Sequence, residues 1–166
     1  MLGGSADVSA YTCWSKTSMI GAARPLDFGH WSAHKLEQLS EYRIRHGEAV
    51  AIGIALDVIY SKQMGFLDAH SAERILRLME DLGFELFTPE LFRQGSRGEL
   101  LVLAGVEEFR EHLGGELHIT QLRGIGRSFE VTEMDEAVVL ESIDELRTAA
   151  TAQPRSRSFG ASHRRR

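Results

Sequence analysis

An internal disulfide is excluded at the outset, because the chain has a single cysteine, Cys13. A lone thiol fits a reducing, cytoplasmic setting. No apolar run approaches the roughly 20 residues that a membrane-spanning helix needs. The opening MLGGSADVSA lacks the basic start and apolar stretch of a secretory signal. There is no basic surplus either. The net charge of -5 argues against a general nucleic-acid binder and is unfavourable for a membrane-surface anchor. No repeat recurs at solenoid periods. HExxH is missing, which disfavours a zinc peptidase. The one GxG, at Gly124 and Gly126, has Phe129 where a dinucleotide fingerprint needs its third glycine. What remains is an ordinary soluble composition, 43% apolar and 26% charged, in a chain long enough for one domain with a core.

The pattern of elements is mainly α: a helical bundle with one small β-hairpin. Residues 1–23 have no sustained period and read as a poorly ordered lead-in. A domain follows over 24–150. Pro25 biases Arg24 away from helix, and Asp27 is placed to cap a helix over 28–40. Its apolar side carries Trp31, Leu36 and Leu39. Residues 46–64 are apolar almost all round, which predicts a helix buried at the bundle centre. Gly53 would let a neighbour pack close against it. A third helix is expected over 71–82, capped by Ser71, with Ile75, Leu76, Leu78, Met79 and Leu82 as its buried stripe. Pro89 starts a short turn to Phe92. Residues 99–112 form one helix, or two meeting at Gly105. Period-two alternation over 117–122, a turn at 124–126 and a strand over 128–131 make the hairpin. The last helix spans 135–149, with Val138, Val139, Ser142, Ile143 and Leu146 facing inward. Residues 151–166 are a disordered basic tail.

Chemistry concentrates in residues 27–48, which hold three of the seven histidines, His30, His34 and His46. His30 and His34 stand four apart and Glu37 three further on, so all three share one helical face. His46 opens the apolar run, and Glu48 follows it. A single helical histidine is usually a surface or satisfied residue. Three within seventeen positions, with a carboxylate in reach, point to a divalent metal site. Neutral imidazoles with an open position suit zinc used as a Lewis acid.

The blocks RPLDFGH-x3-H-x2-E, from Arg24 to Glu37, and RHGEAVAIGIA, from Arg45 to Ala55, resemble the C-terminal domain of the 3-dehydroquinate synthase family, the sugar phosphate cyclases. The similarity spans about 24–147 and includes LRGIG at Leu122 to Gly126 in the family's late hairpin. The resemblance implies that His30 and His46 bind the catalytic metal, Zn2+ or Co2+. It places His34 as a catalytic residue near the substrate phosphate, handling protons. Arg24 stands one residue closer to His30 than the family's phosphate-binding arginine. In this family NAD transiently oxidises a secondary alcohol, phosphate is eliminated, the ketone is reduced again, and an aldol step closes the ring.

Some positions depart from the dehydroquinate synthases. Asp27 stands for their asparagine, Trp31-Ser32-Ala33 for Thr-x-Gly, and a segment holding His112 for their paired lysines. These look more like the branch of 2-epi-5-epi-valiolone synthase and the Ebo-cluster cyclases. The expectation is therefore a neutral sugar phosphate, such as sedoheptulose 7-phosphate, met by Arg24, Asp27 and His112. The family's NAD-binding domain, with a third metal ligand and a catalytic lysine, precedes this part. The expectation is a truncated chain, inactive alone, which needs that domain or a partner chain. Its exposed apolar face would favour a homo-oligomer. Two other readings stay open: a stand-alone helical metal-binding hydrolase, and a non-catalytic interaction bundle.

Overall fold

The computed structural model describes residues 25–112 and 117–152. The expected lead-in, Cys13, Arg24 and most of the expected tail lie outside those residues. Among the described residues the chain forms five α-helices and one hairpin. They are α1 (His30–Leu39), α2 (His46–Gln63), α3 (Ala69–Asp81), α4 (Ala104–His112) and α5 (Glu136–Ala152), with β1 (Ile119–Gly124) and β2 (Arg127–Val131) between α4 and α5. Short 3-10 turns cover Pro25–Asp27, Pro89–Phe92 and Leu101–Leu103. α5 continues through Thr151 and Ala152, two residues into the expected tail.

α2 is the axis of the bundle. α1, α3, α5 and β1 all pack against it. Its all-round apolar sequence is the reason: Ala49, Ile52, Ala55, Leu56, Val58 and Ile59 are buried on every side. Polar staples fix its far end. Ser61 donates to Gln121 on β1 at 2.6 Å, and the Tyr60 hydroxyl accepts the Asp135 N–H at 3.0 Å. The hairpin is antiparallel, pairing Ile119 with Val131 and Gln121 with Phe129, and an irregularity between Leu122 and Gly124 loosens the turn end. The turn itself is Ile125-Gly126, and Gly124, expected in the turn, is the last residue of β1 and pairs with Arg127.

The helix starts differ from the sequence expectation in two places. Asp27 does not cap α1; it closes the preceding 3-10 turn, and Gly29 takes the cap position with φ 78°. Only a residue without Cβ adopts that conformation cheaply, and Gly29 also touches α2. α3 begins two residues before Ser71, because Asp68 is the cap and its carboxylate accepts the Ser71 N–H at 2.9 Å. Hydrogen bonds from the Ser71 side chain and from its N–H hold the Asp68 carboxyl below its ordinary range.

α3 departs furthest from expectation. Of its residues only Ala72 is buried, while Leu78 is 60% exposed and Leu82, just past its end, 68%. The helix sits at the rim of the bundle, and only the side toward α2 is covered. Ile75 and Leu76 pack there against the core and Met79 is half-buried; Leu78 and Leu82 face out, followed by Phe84.

Candidate metal centre

α1 and α2 face each other along a line set by small residues. A Cβ on Gly53 would collide with the Gly29 carbonyl and approach Ser32 Oγ at 2.8 Å. The close approach expected of Gly53 is therefore present, and it draws the start of α1 onto the middle of α2. Glu37, further along α1, reaches the start of α2, where its carboxylate meets His46.

This packing gathers the three histidines. Ring centroids lie 5.4 Å apart for His30 and His46, 5.7 Å for His30 and His34, and 5.8 Å for His34 and His46. Two imidazoles on one tetrahedral zinc, with Zn–N of about 2.0–2.1 Å, would hold their centroids about 5.2 Å apart. The His30–His46 spacing fits that geometry with little movement.

The outer nitrogens are already engaged. His30 Nδ1 lies 3.2 Å from the Phe28 carbonyl oxygen, and His46 Nδ1 lies 3.1 Å from Glu37 Oε2. A carbonyl can only accept, so His30 carries its proton on Nδ1. The Glu37 carboxylate selects the same tautomer for His46. In both rings Nε2 is then left with its lone pair for a metal. A metal-binding histidine ordinarily has just such a carbonyl or carboxylate behind it. The residues present therefore fit the group.

A second grouping overlaps the first. Ligand atoms of His34, Glu37 and His46 all lie within 4.8 Å of one another. The two sets share His46 and differ in whether Glu37 stands behind that ring or binds the ion itself. The pairing of Glu37 with Nδ1 of His46 favours the supporting position. Glu48 belongs to neither set, because its carboxylate accepts the Arg45 N–H at 2.9 Å at the start of α2.

Among the other expected residues, His34 is exposed beside a cleft of about 240 Å³ between α1 and α4. Trp31, Glu37, Tyr42, Glu108 and Phe109 also line it. It is smaller than the 300–1,000 Å³ usual for small-molecule sites. Asp27 lies in the turn three residues before His30 and is half-buried. His112 ends α4, and Arg24 lies outside the described residues.

Sequence reasoning missed one contact and one residue. The contact between Glu37 and His46 depends on how two helices cross, which no spacing reveals. Asp57 is wholly buried in α2, where its carboxylate accepts the Gly29 N–H at 3.0 Å and the Trp31 indole N–H at 2.8 Å. Burial pushes its carboxyl up to about 7, although hydrogen bonds from Trp31, Gly29 and Gln121 pull the other way. A single acid within a run of apolar residues was the available signal.

Comparison with known proteins bears on this geometry. The family model for the 3-dehydroquinate synthase C-terminal domain matches residues 16–97, which contain both histidine blocks. The chain carries the C-terminal domain of the 3-dehydroquinate synthase family. This dehydroquinate synthase-like chain is 36% identical over 126 residues to the 3-dehydroquinate synthase of Chlorobium chlorochromatii, a match over 75% of this chain and 34% of that protein. It is 31% identical over 119 residues to the 2-epi-5-epi-valiolone synthase of Streptomyces glaucescens, over 69% of this chain and 28% of that one. Its fold superposes on the 2-epi-5-epi-valiolone synthase of Streptomyces hygroscopicus subsp. jinggangensis, a structure with NAD+ and Zn2+ bound. That match has a TM-score of 0.67 at 25% identity and covers 75% of this chain and 33% of the other. The chain thus spans about a third of the length of these relatives, and both activities occur among them.

Proposed function

We propose that this chain supplies the metal-holding wall of a sugar phosphate cyclase. His30 and His46 bind a Zn2+ or Co2+ ion through Nε2. The carrying observation is their 5.4 Å approach with each Nδ1 turned to a separate acceptor. When bound, the ion polarises the substrate oxygen that is oxidised and reduced, and NAD carries the hydride. The chain's own residues orient and exchange protons. The Phe28 carbonyl and Glu37 fix the two ligand rings, while exposed His34, at the lip of the cleft, exchanges a proton beside the substrate phosphate.

The substrate we infer is a neutral sugar phosphate, because Asp27 and the segment with His112 replace groups that would grip a substrate carboxylate. Arg24, Asp27 and His112 are its proposed contacts. The nucleotide and the third metal ligand come from a further domain or a partner chain, since no nucleotide-binding unit lies among the described residues. The 166-residue chain alone is then inactive, associates with copies of itself, and works in the cytoplasm. No helix among the described residues is long and apolar enough to cross a membrane.

Titration with Co2+, followed by its visible absorption, tests the reading. Binding should weaken at least tenfold in both His30→Ala and His46→Ala, about the loss of one ligand-supporting contact or more. Joined to a nucleotide-binding domain of the family, the chain should turn over sedoheptulose 7-phosphate in preference to the keto-acid phosphate of 3-dehydroquinate synthases. The converse preference sinks the substrate assignment. The overlapping set of His34, Glu37 and His46 supports a second reading, a metal site complete within the chain and used for hydrolysis. Tight one-to-one binding lost in His34→Ala and Glu37→Ala, but kept in His30→Ala, would favour it.

A further inference from the structure

We infer that Asp57 is the positioning residue for His30, holding the metal-binding turn in register from inside the core. The inference rests on His30 being a ligand, as proposed above, but its test does not need the metal.

Asp57 lies eleven positions after His46, about three helical turns, so both stand on the face of α2 that meets α1. Its two carboxylate oxygens do separate work. Oδ2 takes the backbone N–H of Gly29 and Oδ1 takes the indole N–H of Trp31. Those residues flank His30 on either side. Gly29 is also gripped from the other direction, because its carbonyl lies where a Cβ of Gly53 would be. The Phe28–Trp31 backbone therefore has little freedom to rotate. The His30 ring can then keep its Nδ1–H on the Phe28 carbonyl and its centroid 5.4 Å from that of His46.

Two converging N–H donors explain why a carboxylate stands here. In its ionised form, as at pH 8, it accepts only, with two oxygens. An amide of the same shape would face one of the donors with its own NH2, and an aliphatic side chain would leave both unsatisfied. A carboxylate that served stability alone could cross-link α1 and α2 anywhere along their length. This one binds both neighbours of a proposed ligand. Gln121 is the remaining polar group drawn to it, from β1.

The experiment is a long-range proton–nitrogen correlation of the imidazoles in the metal-free full chain, near pH 8, where histidines are neutral. Wild type should show His30 as the Nδ1–H tautomer. In Asp57→Asn the His30 signals should move toward a mixture of tautomers, while His118 on the hairpin stays unchanged. Cobalt affinity should fall about tenfold in parallel. A merely structural Asp57 would lower the unfolding midpoint and leave the His30 tautomer of the folded protein as it was. That result overturns the inference. If Asp57→Asn fails to fold, Trp31→Phe removes one donor and keeps the other. It should move His30 in the same direction, and no movement again overturns the proposal. A wild-type chain that binds no cobalt, yet loses its His30 tautomer in Asp57→Asn, would sink the metal reading and leave the positioning role standing.

Discussion

The two sides of α2 were built by the same rule and finish differently. On the α1 side, glycine meets glycine, a buried carboxylate holds two donors, and polar rings converge. On the α3 side, only Ala72 is fully covered, and Leu78 and Leu82 face outward. Apolar periodicity marks both helices as amphipathic, but it does not say how much of the stripe is covered. Steric closeness and buried polar contacts are what make the α1 interface specific. Without them, α3 is held by a narrow hydrophobic seam.

The largest contrast should come from one substitution made at two places on α2. Gly53→Ala drives a methyl into the Gly29 carbonyl, and urea unfolding should show a loss of about 3 kcal/mol, the upper range for overpacking. Gly47→Ala meets nothing within 4 Å and should gain up to about 1 kcal/mol from lower unfolded-state entropy. Equal effects would mean that the glycine contact does not set the interface.

The buried acid sharpens the comparison through pH. Asp57 titrates near 7 in the fold against 3.8 in the ordinary carboxyl. Between those values the folded chain holds a proton that the unfolded chain has released. Its contribution is thus fully present below about pH 4 and is lost as pH rises through 7. Over that window the gap in unfolding free energy between wild type and Asp57→Asn should change by a few kcal/mol, in the direction of a weaker wild type. Parallel pH curves for the two proteins would refute the buried titration.

A smaller effect is expected of Glu37→Gln, which keeps the shape of the group behind His46. Metal affinity should fall by about ten- to a hundredfold, with the urea midpoint nearly unchanged. If Glu37 were itself a ligand, binding would be abolished instead. Smallest of all, Leu82→Ser on the open side of α3 should shift stability by no more than about 0.5 kcal/mol. A larger loss would show that this face is covered in solution.

Much of the fold was legible in the residues. The largely apolar run of 46–64 specified a central helix, and the period-two stretch specified the hairpin. Three histidines, read with their spacing, led to the place where the rings meet. The misses have physical causes. Two acceptors competed for the start of α3, and Asp68 outreached Ser71. Gly29, not Asp27, opens α1, because a tertiary contact with Gly53 overrides local capping preference. The contacts of Glu37 with His46, and of Asp57 with Gly29 and Trp31, join residues from different helices. Such contacts follow from a crossing geometry that local patterning does not encode.

The most direct measurement is a crystal structure of the zinc-soaked chain with anomalous scattering recorded at the zinc edge. The account expects one ion with Nε2 of His30 and of His46 each about 2.0–2.1 Å away, and Glu37 still on Nδ1 of His46. An ion held by His34, Glu37 and His46 with the His30 ring turned aside, or no ion near these rings, would contradict it.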